Sequence, residues 1–260
     1  MGKFVTPKAF LIAETIVHEP VMMESLRHLG VDDWVTDAPD PSSLLTEFAG
    51  KSCYMSFDKA LNQNLTTVGG RNNHDYIQQG IVAQNHGSVL EHSTVTFFMT
   101  NVSRVVTHEL VRHRAGTAFS QTSGRYVRSS EVDLYVPNDI LDCPEAVMIF
   151  RKAIREMEDN VRALSDATNI NTMGFAFKKK LTSAFRRITG NGVSNHLVMT
   201  ANHRAWRHVI EMRTSPHAEE EIRVIMADVS RQLRARFPNI YGDATVTIEN
   251  EIEVTTFKRP

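Results

Sequence analysis

The chain has 260 residues, 42% hydrophobic and 23% charged, a globular composition that allows one large domain or two small ones. Lys and Arg number 29 against 30 Asp and Glu, so a net charge of −1 gives no global positive field to attract nucleic acid or an anionic membrane. Cys53 and Cys143 sit outside any CxxC or CxxH pattern, which argues against a disulfide scaffold and a cysteine zinc site, and Phe10–Ala13 is too short for a signal core or a membrane span.

No repeat or Gly/Ser linker divides the sequence. Residues 1–45 read as a peripheral N-terminal extension: a short helix at Val21–Leu26, broken off by Asp37-Ala38-Pro39-Asp40-Pro41. Ser42 and Ser43 offer caps for a helix through Leu44, Leu45, Phe48 and Ala49. A further helix from Asp75 to about Asn85 turns Ile77 and Ile81 inward, and Ser93–Thr100 reads as a strand. Ser103 caps a helix carrying Val105, Val106, Leu110 and Val111 that ends near Arg114. Val132, Leu134 and Val136 alternate like an exposed-face strand. Phe150, Ile154, Met157, Val161 and Leu164 mark a long amphipathic helix. Helices follow at about 198–213 and 217–236, the second with Ile222, Ile225, Val229 and Leu233 buried, and Thr245–Ile248 reads as a closing strand. This predicts an α+β class: a mixed sheet flanked by helices, with a helical C-terminal half.

Arginine clusters twice. Arg104, Arg112, Arg114, Arg125 and Arg128 form one group; Arg186, Arg187, Arg204, Arg207 and Arg213 form the other. A guanidinium fork matches phosphate oxygens two at a time, so such groups are candidate nucleotide clamps, although a solvated helix face is the commoner origin. Around the first cluster a helix end bearing Arg112-His113-Arg114 passes into a loop of small hydroxyl residues and reaches Ser123-Gly124-Arg125-Tyr126. Small side chains let backbone amides approach a ligand while flanking guanidiniums supply charge. His108 and His113 do not make a zinc-protease helix: five residues rotate the second imidazole about 140° from the first.

These residues resemble the signature of the flavin-dependent thymidylate synthases, Arg-His-Arg, seven residues, then Ser. The stretch Asn85–His92, the segment Asn202-His203-Arg204 with His208, and Arg213 followed by His217–Arg223 resemble three further segments of that family in the same order. The resemblance covers about residues 46–236 and implies a single catalytic domain over 46–260. It implies FAD contacts from Arg112, His113 and Arg114, with His86, Ser88, Asn202, Arg204 and His208. It assigns the deoxyuridylate (dUMP) to Glu109, Gln121, Ser123, Gly124, Arg125 and Arg186. Arg213 lies against the uracil, and Arg213 and Ser123 are the candidate catalytic residues. The implied reaction methylates dUMP to dTMP, with methylenetetrahydrofolate as carbon donor, FAD as hydride carrier and NADPH as reductant. The implied assembly is a cytoplasmic homotetramer with shared sites, binding neither nucleic acid nor membrane, and with no metal.

The sequence departs from the pattern by one residue: eight residues, not seven, separate Arg114 from Ser123. Arg186-Arg187-Ile188 replaces the family's usual run there, so either arginine is the candidate. Simpler roles stand beside the functional ones. His86 and His92 can bond to backbone, and Ser123 can be a loop hydroxyl. Arg213 can pair with Glu219 or Glu220, and Lys178-Lys179-Lys180 can be a solvated face. Two other activities fit the same residues: a family member that alkylates another pyrimidine nucleotide, and a non-catalytic nucleotide sensor.

Overall fold

A computed structural model describes residues 2–66, 68–126 and 132–258; Arg128 of the first arginine cluster lies outside them. In chain order come β1 (Lys8–Glu14), α1 (Glu19–His28), α2 (Pro41–Tyr54), and α3 (Asn73–Asp75), which continues into a π-helical turn, Tyr76–Val82. A 3-10 helix (Gly87–Glu91) precedes β2 (Thr94–Ser103), α4 (Arg104–Leu110), β3 (Thr117–Gln121), α5 (Asn138–Leu141) and α6 (Pro144–Ala167). The remainder is α7 (Phe175–Phe185), β4 (Ser194–Asn202), α8 (His203–Thr214), α9 (Glu220–Arg236), β5 (Thr245–Glu249) and β6 (Ile252–Thr256).

The class is α+β, as the sequence predicts. Among the described residues the named strands pair only antiparallel, however, where a mixed sheet was expected: the main sheet has the order β1-β2-β4-β3, and β5 and β6 form a separate hairpin. Period-two alternation sets the central pair. Val95, Phe97 and Met99 of β2, and Leu197, Met199 and Ala201 of β4, all turn to one face and are buried. Helices α8 and α9 cover that face with Trp206, Val209, Ile210, Ile222, Ile225, Met226 and Val229. The Trp206 ring meets Phe97 edge-on at 5.2 Å, and its indole N–H donates to the Val95 carbonyl at 3.1 Å.

Several elements differ from expectation. The helix read at about 198–213 begins only at His203, because the alternating run Leu197-Met199-Ala201 is paired on both sides as β4. The loop of small hydroxyl residues contains β3, whose Phe119 packs on the core and whose backbone bonds to β4. Val132, Leu134 and Val136 are buried and form isolated bridges at Leu134, not an exposed strand. The cap of α2 is Asp40, whose carboxylate accepts the Ser43 N–H at 2.8 Å, in place of Ser42 or Ser43. Within residues 1–45, β1 forms an edge of the sheet that the sequence pattern did not reveal. Among the described residues no helix is long and apolar enough to cross a membrane.

Arg207, grouped by sequence with the candidate clamps, is fully buried and structural. Its fork meets Asp243 through two bonds of 2.7 Å and also donates to the Ile240 carbonyl at 2.8 Å, fastening α8 to the turn before β5. Removing one partner leaves a charge uncompensated in the interior. Asp243→Ala therefore lowers the unfolding free energy by about 3–5 kcal/mol, read as a shifted midpoint in urea melts at unchanged slope.

Candidate functional site

Two strand-to-helix turns build the site. Ser103 ends β2, and its hydroxyl accepts the Val106 N–H, capping α4; Asn202 ends β4, and its side chain accepts the Ala205 N–H, capping α8. The buried Glu221 carboxylate, pushed up to about 7 by burial, also accepts the Ser103 N–H at 2.7 Å and ties α9 to this turn. Because β2 and β4 are antiparallel, the two helices start at opposite ends of the sheet. The chain through α4 must then travel the sheet's length to enter β3 at Thr117, opposite Ala201. That passage delivers Arg112-His113-Arg114 to the start of α8.

The helices meet at Arg213. Its Nη1 donates to Glu109 at 2.6 Å and its Nε donates to His113 Nε2 at 2.9 Å. The alternative pairing with Glu219 or Glu220 is not the one observed. An acceptor Nε2 places the His113 proton on Nδ1. The imidazole stays neutral, with its pKa held down at about 4 by burial, then by the Arg213 charge and by His208. His208 stands edge-on to the His113 ring at 5.7 Å.

A cavity of about 570 Å³ opens beside this junction, lined by Arg112, His113, Arg114, Asn202, Arg204 and His208, with Glu91 opposite. Six of the eight residues picked from sequence for the flavin therefore share one wall. Arg204 pairs with Glu91 at 2.5 Å, both half exposed. Gly116 is required here: its φ is +67°, and a Cβ on it would stand 2.3 Å from Asn202 Nδ2. Three guanidiniums, a neutral imidazole and close backbone approach suit a flat ring system with a diphosphate. His86 and Ser88 are not part of this wall. Both are exposed, and His86 lines a separate cleft.

Of the seven residues assigned to the nucleotide, four fall into two adjoining clefts, whereas Gln121, Ser123 and Arg125 line neither. One, of about 490 Å³, holds Glu109, Arg213, Arg104 and Arg112; the second, narrower, holds Gly124, Arg186 and Arg104. Arg112 joins the first cleft to the large cavity, and Arg104 joins the two clefts. A Cβ on Gly124 would lie 3.2 Å from Arg104 Nη2 and 3.7 Å from Arg186 Cδ, so two arginines flank a residue without a side chain. Burial and the neighbouring Arg186 charge both lower the Arg104 pKa, the mark of cations gathered without an acid between them. Of the two arginines open from sequence, Arg186 is the one in this cleft. Ser123 Oγ accepts the Arg125 N–H at 3.3 Å, and Gln121 donates to Thr107 Oγ1 at 3.0 Å. Arg104 was named from sequence only as one of a cluster. Its position directly after the cap Ser103 was the available signal, since the first residue of a capped helix points from a fixed end.

A family model described as thymidylate synthase complementing protein matches residues 35–239. A flavin-dependent thymidylate synthase of Mycobacteroides abscessus is 36% identical over 234 residues, covering 86% of this chain and 88% of that protein. Among solved structures, thymidylate synthase X of Helicobacter pylori with FAD and dUMP superposes with a TM-score of 0.61 at 18% identity, covering 91% of this chain and 98% of that one. A UMP/dUMP methylase of Streptomyces cacaoi bound with 5-bromo-UMP gives a TM-score of 0.65 at 17% identity, covering 93% and 96%. At these identities the two structures share the fold.

Arg213→Met removes both the donor to His113 Nε2 and a neighbouring positive charge, so the His113 pKa rises from about 4 toward the free imidazole value. Proton NMR titration of the imidazole checks this; an unchanged midpoint refutes the contact. Gly116→Ala forces a non-glycine side chain into a left-handed backbone and against Asn202. It costs about 1–3 kcal/mol in thermal or urea unfolding, whereas Gly190→Ala, where nothing lies within 4 Å, leaves the midpoint near wild type.

Proposed function

This chain belongs to the family of thymidylate synthase complementing proteins, the flavin-dependent thymidylate synthases, and from that premise we infer how its residues divide the work of methylating dUMP to dTMP. The carbon comes from methylenetetrahydrofolate. Bound FAD supplies the hydride chemistry, with NADPH as reductant. The observation that carries the residue assignment is Arg213, gripped by Glu109 and His113 in the cleft that Arg112 joins to the large cavity.

The 570 Å³ cavity is the flavin site, with Arg112, Arg114 and Arg204 taking the diphosphate and Asn202, His113 and His208 facing the rings. Arg104 and Arg186, either side of Gly124, hold the nucleotide phosphate, and Ser123, Arg125 and Gln121 orient the rest. Arg213 faces the uracil. For C5 to attack as a carbon nucleophile, negative charge must build on the ring, and a fixed guanidinium stabilises it without reorganising. Glu109 and His113 fix that orientation, and the neutral state of His113 leaves it free to accept from Arg213 throughout the working pH range. Ser123 positions and does not attack, a reading supported by its hydroxyl accepting the Arg125 N–H.

His86 and Ser88 lie away from the flavin cavity of their own chain, which supports sites shared between subunits of a homotetramer. Residues 46–260 carry the candidate site residues, and β1 from residues 1–45 completes the edge of their sheet. Free, exposed Cys53 and Cys143 suit a reducing cytoplasm.

The test is dTMP formation from dUMP, methylenetetrahydrofolate and NADPH by the purified, FAD-loaded chain, with UMP as competitor substrate. No dTMP from dUMP rejects the function. Arg213→Ala lowers kcat by about 10²–10³-fold. Ser123→Ala raises KM for dUMP and leaves measurable turnover; complete loss of turnover with unchanged dUMP binding would make Ser123 the nucleophile.

A further inference from the structure

A separate cleft of about 380 Å³ lies at the other end of the short helix Gly87–Glu91, lined by Lys51, Tyr54, Arg71, Tyr76, Gln84 and His86. Arg71 lies across Gly80, where a Cβ would stand 3.0 Å from its Nη1, and its guanidinium is 6.0 Å from the Tyr76 ring centre. Among the described residues no carboxylate forms an ion pair with Arg71. Lys51 Nζ sits 5.4 Å from the same ring and 5.8 Å from Trp34, and shares Glu47 at 3.3 Å. The other Glu47 oxygen is taken by the Thr36 hydroxyl and the Asn73 amide, so this carboxylate is committed away from Arg71. His86 stands edge-on to Tyr54 at 6.1 Å. Beyond Lys51 a neighbouring cleft, lined by Asp33, Asp37 and Asp58 together with Lys59, shares both Lys51 and Arg71 with this one.

Position gives this cleft a purpose. The helix Gly87–Glu91 starts after His86 in this cleft and ends at Glu91, which faces Arg204 in the 570 Å³ cavity. Five residues at about 2 Å of rise separate the two by about 10 Å. The same short helix thus carries a residue of each opening, His86 at its start and Glu91 at its end.

We propose that this cleft binds the doubly negative end of a co-substrate, a phosphate monoester or a glutamyl dicarboxylate carried next to a flat ring. Arg71 and Lys51 take the anion, and Tyr54, Tyr76 and His86 provide the aromatic flank. The two sources are the 2′-phosphate of NADPH and the glutamate of the folate, so the proposal rests on the reading given under the proposed function.

Calorimetric titration of adenosine 2′,5′-bisphosphate and, separately, p-aminobenzoyl-glutamate into the full chain tests it without turnover. One of them binds, Arg71→Ala weakens that binding about tenfold or more, and Arg71→Lys restores part of it. In steady-state assays the KM of the matching co-substrate rises by a similar factor while the KM for dUMP stays unchanged. Response to the bisphosphate and NADPH identifies the reductant; response to the benzoyl-glutamate and folate identifies the carbon donor. The proposal is overturned if neither fragment binds, or if Arg71→Ala leaves the Kd and both KM values within about twofold. Absence of dTMP synthesis by the wild type would sink the functional reading, while the calorimetry still decides whether the cleft takes these anions.

Discussion

Strands β2 and β4 lie far apart in the chain, and their antiparallel pairing, Thr94 against Asn202 through to Ser103 against Ser194, sets the placement of nearly everything else. The buried alternation of Val95, Phe97 and Met99 against Leu197, Met199 and Ala201 specifies the register, since a slip of one residue would turn each set into solvent. Because each strand runs into a capped helix, the register also sets where α4 and α8 begin. The arginines at 112, 114, 204 and 213 converge as a consequence of strand pairing, with no short-range signal required.

Arginine plays two physically distinct parts. Arg207 is sealed inside with both faces of its fork occupied by Asp243, and Arg223 is buried with its Nη2 donating to the Glu249 carbonyl. These fasten helices to the C-terminal hairpin. Arg104 and Arg186 approach one another across Gly124, and Arg112 and Arg114 stand exposed around the large cavity. Like charges held together disfavour the unliganded site, and that cost is relieved by an anion. Arg213 falls between the two kinds: partly buried, paired with Glu109, and still lining a cleft.

Neutral imidazoles accompany this arrangement. His203 is fully buried against Phe237 and Tyr241, and burial followed by the Arg207 charge holds its pKa near 3. A histidine depressed in the fold takes up its proton only on unfolding between the free value and the folded one. The contribution of this group to stability is thus complete above about pH 6.5 and declines as the pH falls below it. The same holds for His113, so mild acid loosens the core under α8 and the Arg213 clamp through one kind of group.

Much of the candidate site was legible in the sequence because it is built from short local runs. Arg112-His113-Arg114, the cap at Ser103, the hydroxyl-rich approach to Gly124, and the Asn202–Arg204 segment are short runs whose residue types already imply helix ends and anion contacts. The α+β class and the long helix of α6 follow from periodicity in the same way. Periodicity could not find β4, because a nine-residue strand that leads straight into an amphipathic helix offers no break between the two patterns. Nor could it tell Arg207 from Arg204, three residues away, although one is sealed in the core and the other faces the cavity. A residue's partner across the sheet, and hence whether its charge is compensated, depends on contacts between segments far apart in the chain. The sequence alone therefore determined which residues are able to bind anions, and the tertiary structure decided which of them are left free to do so.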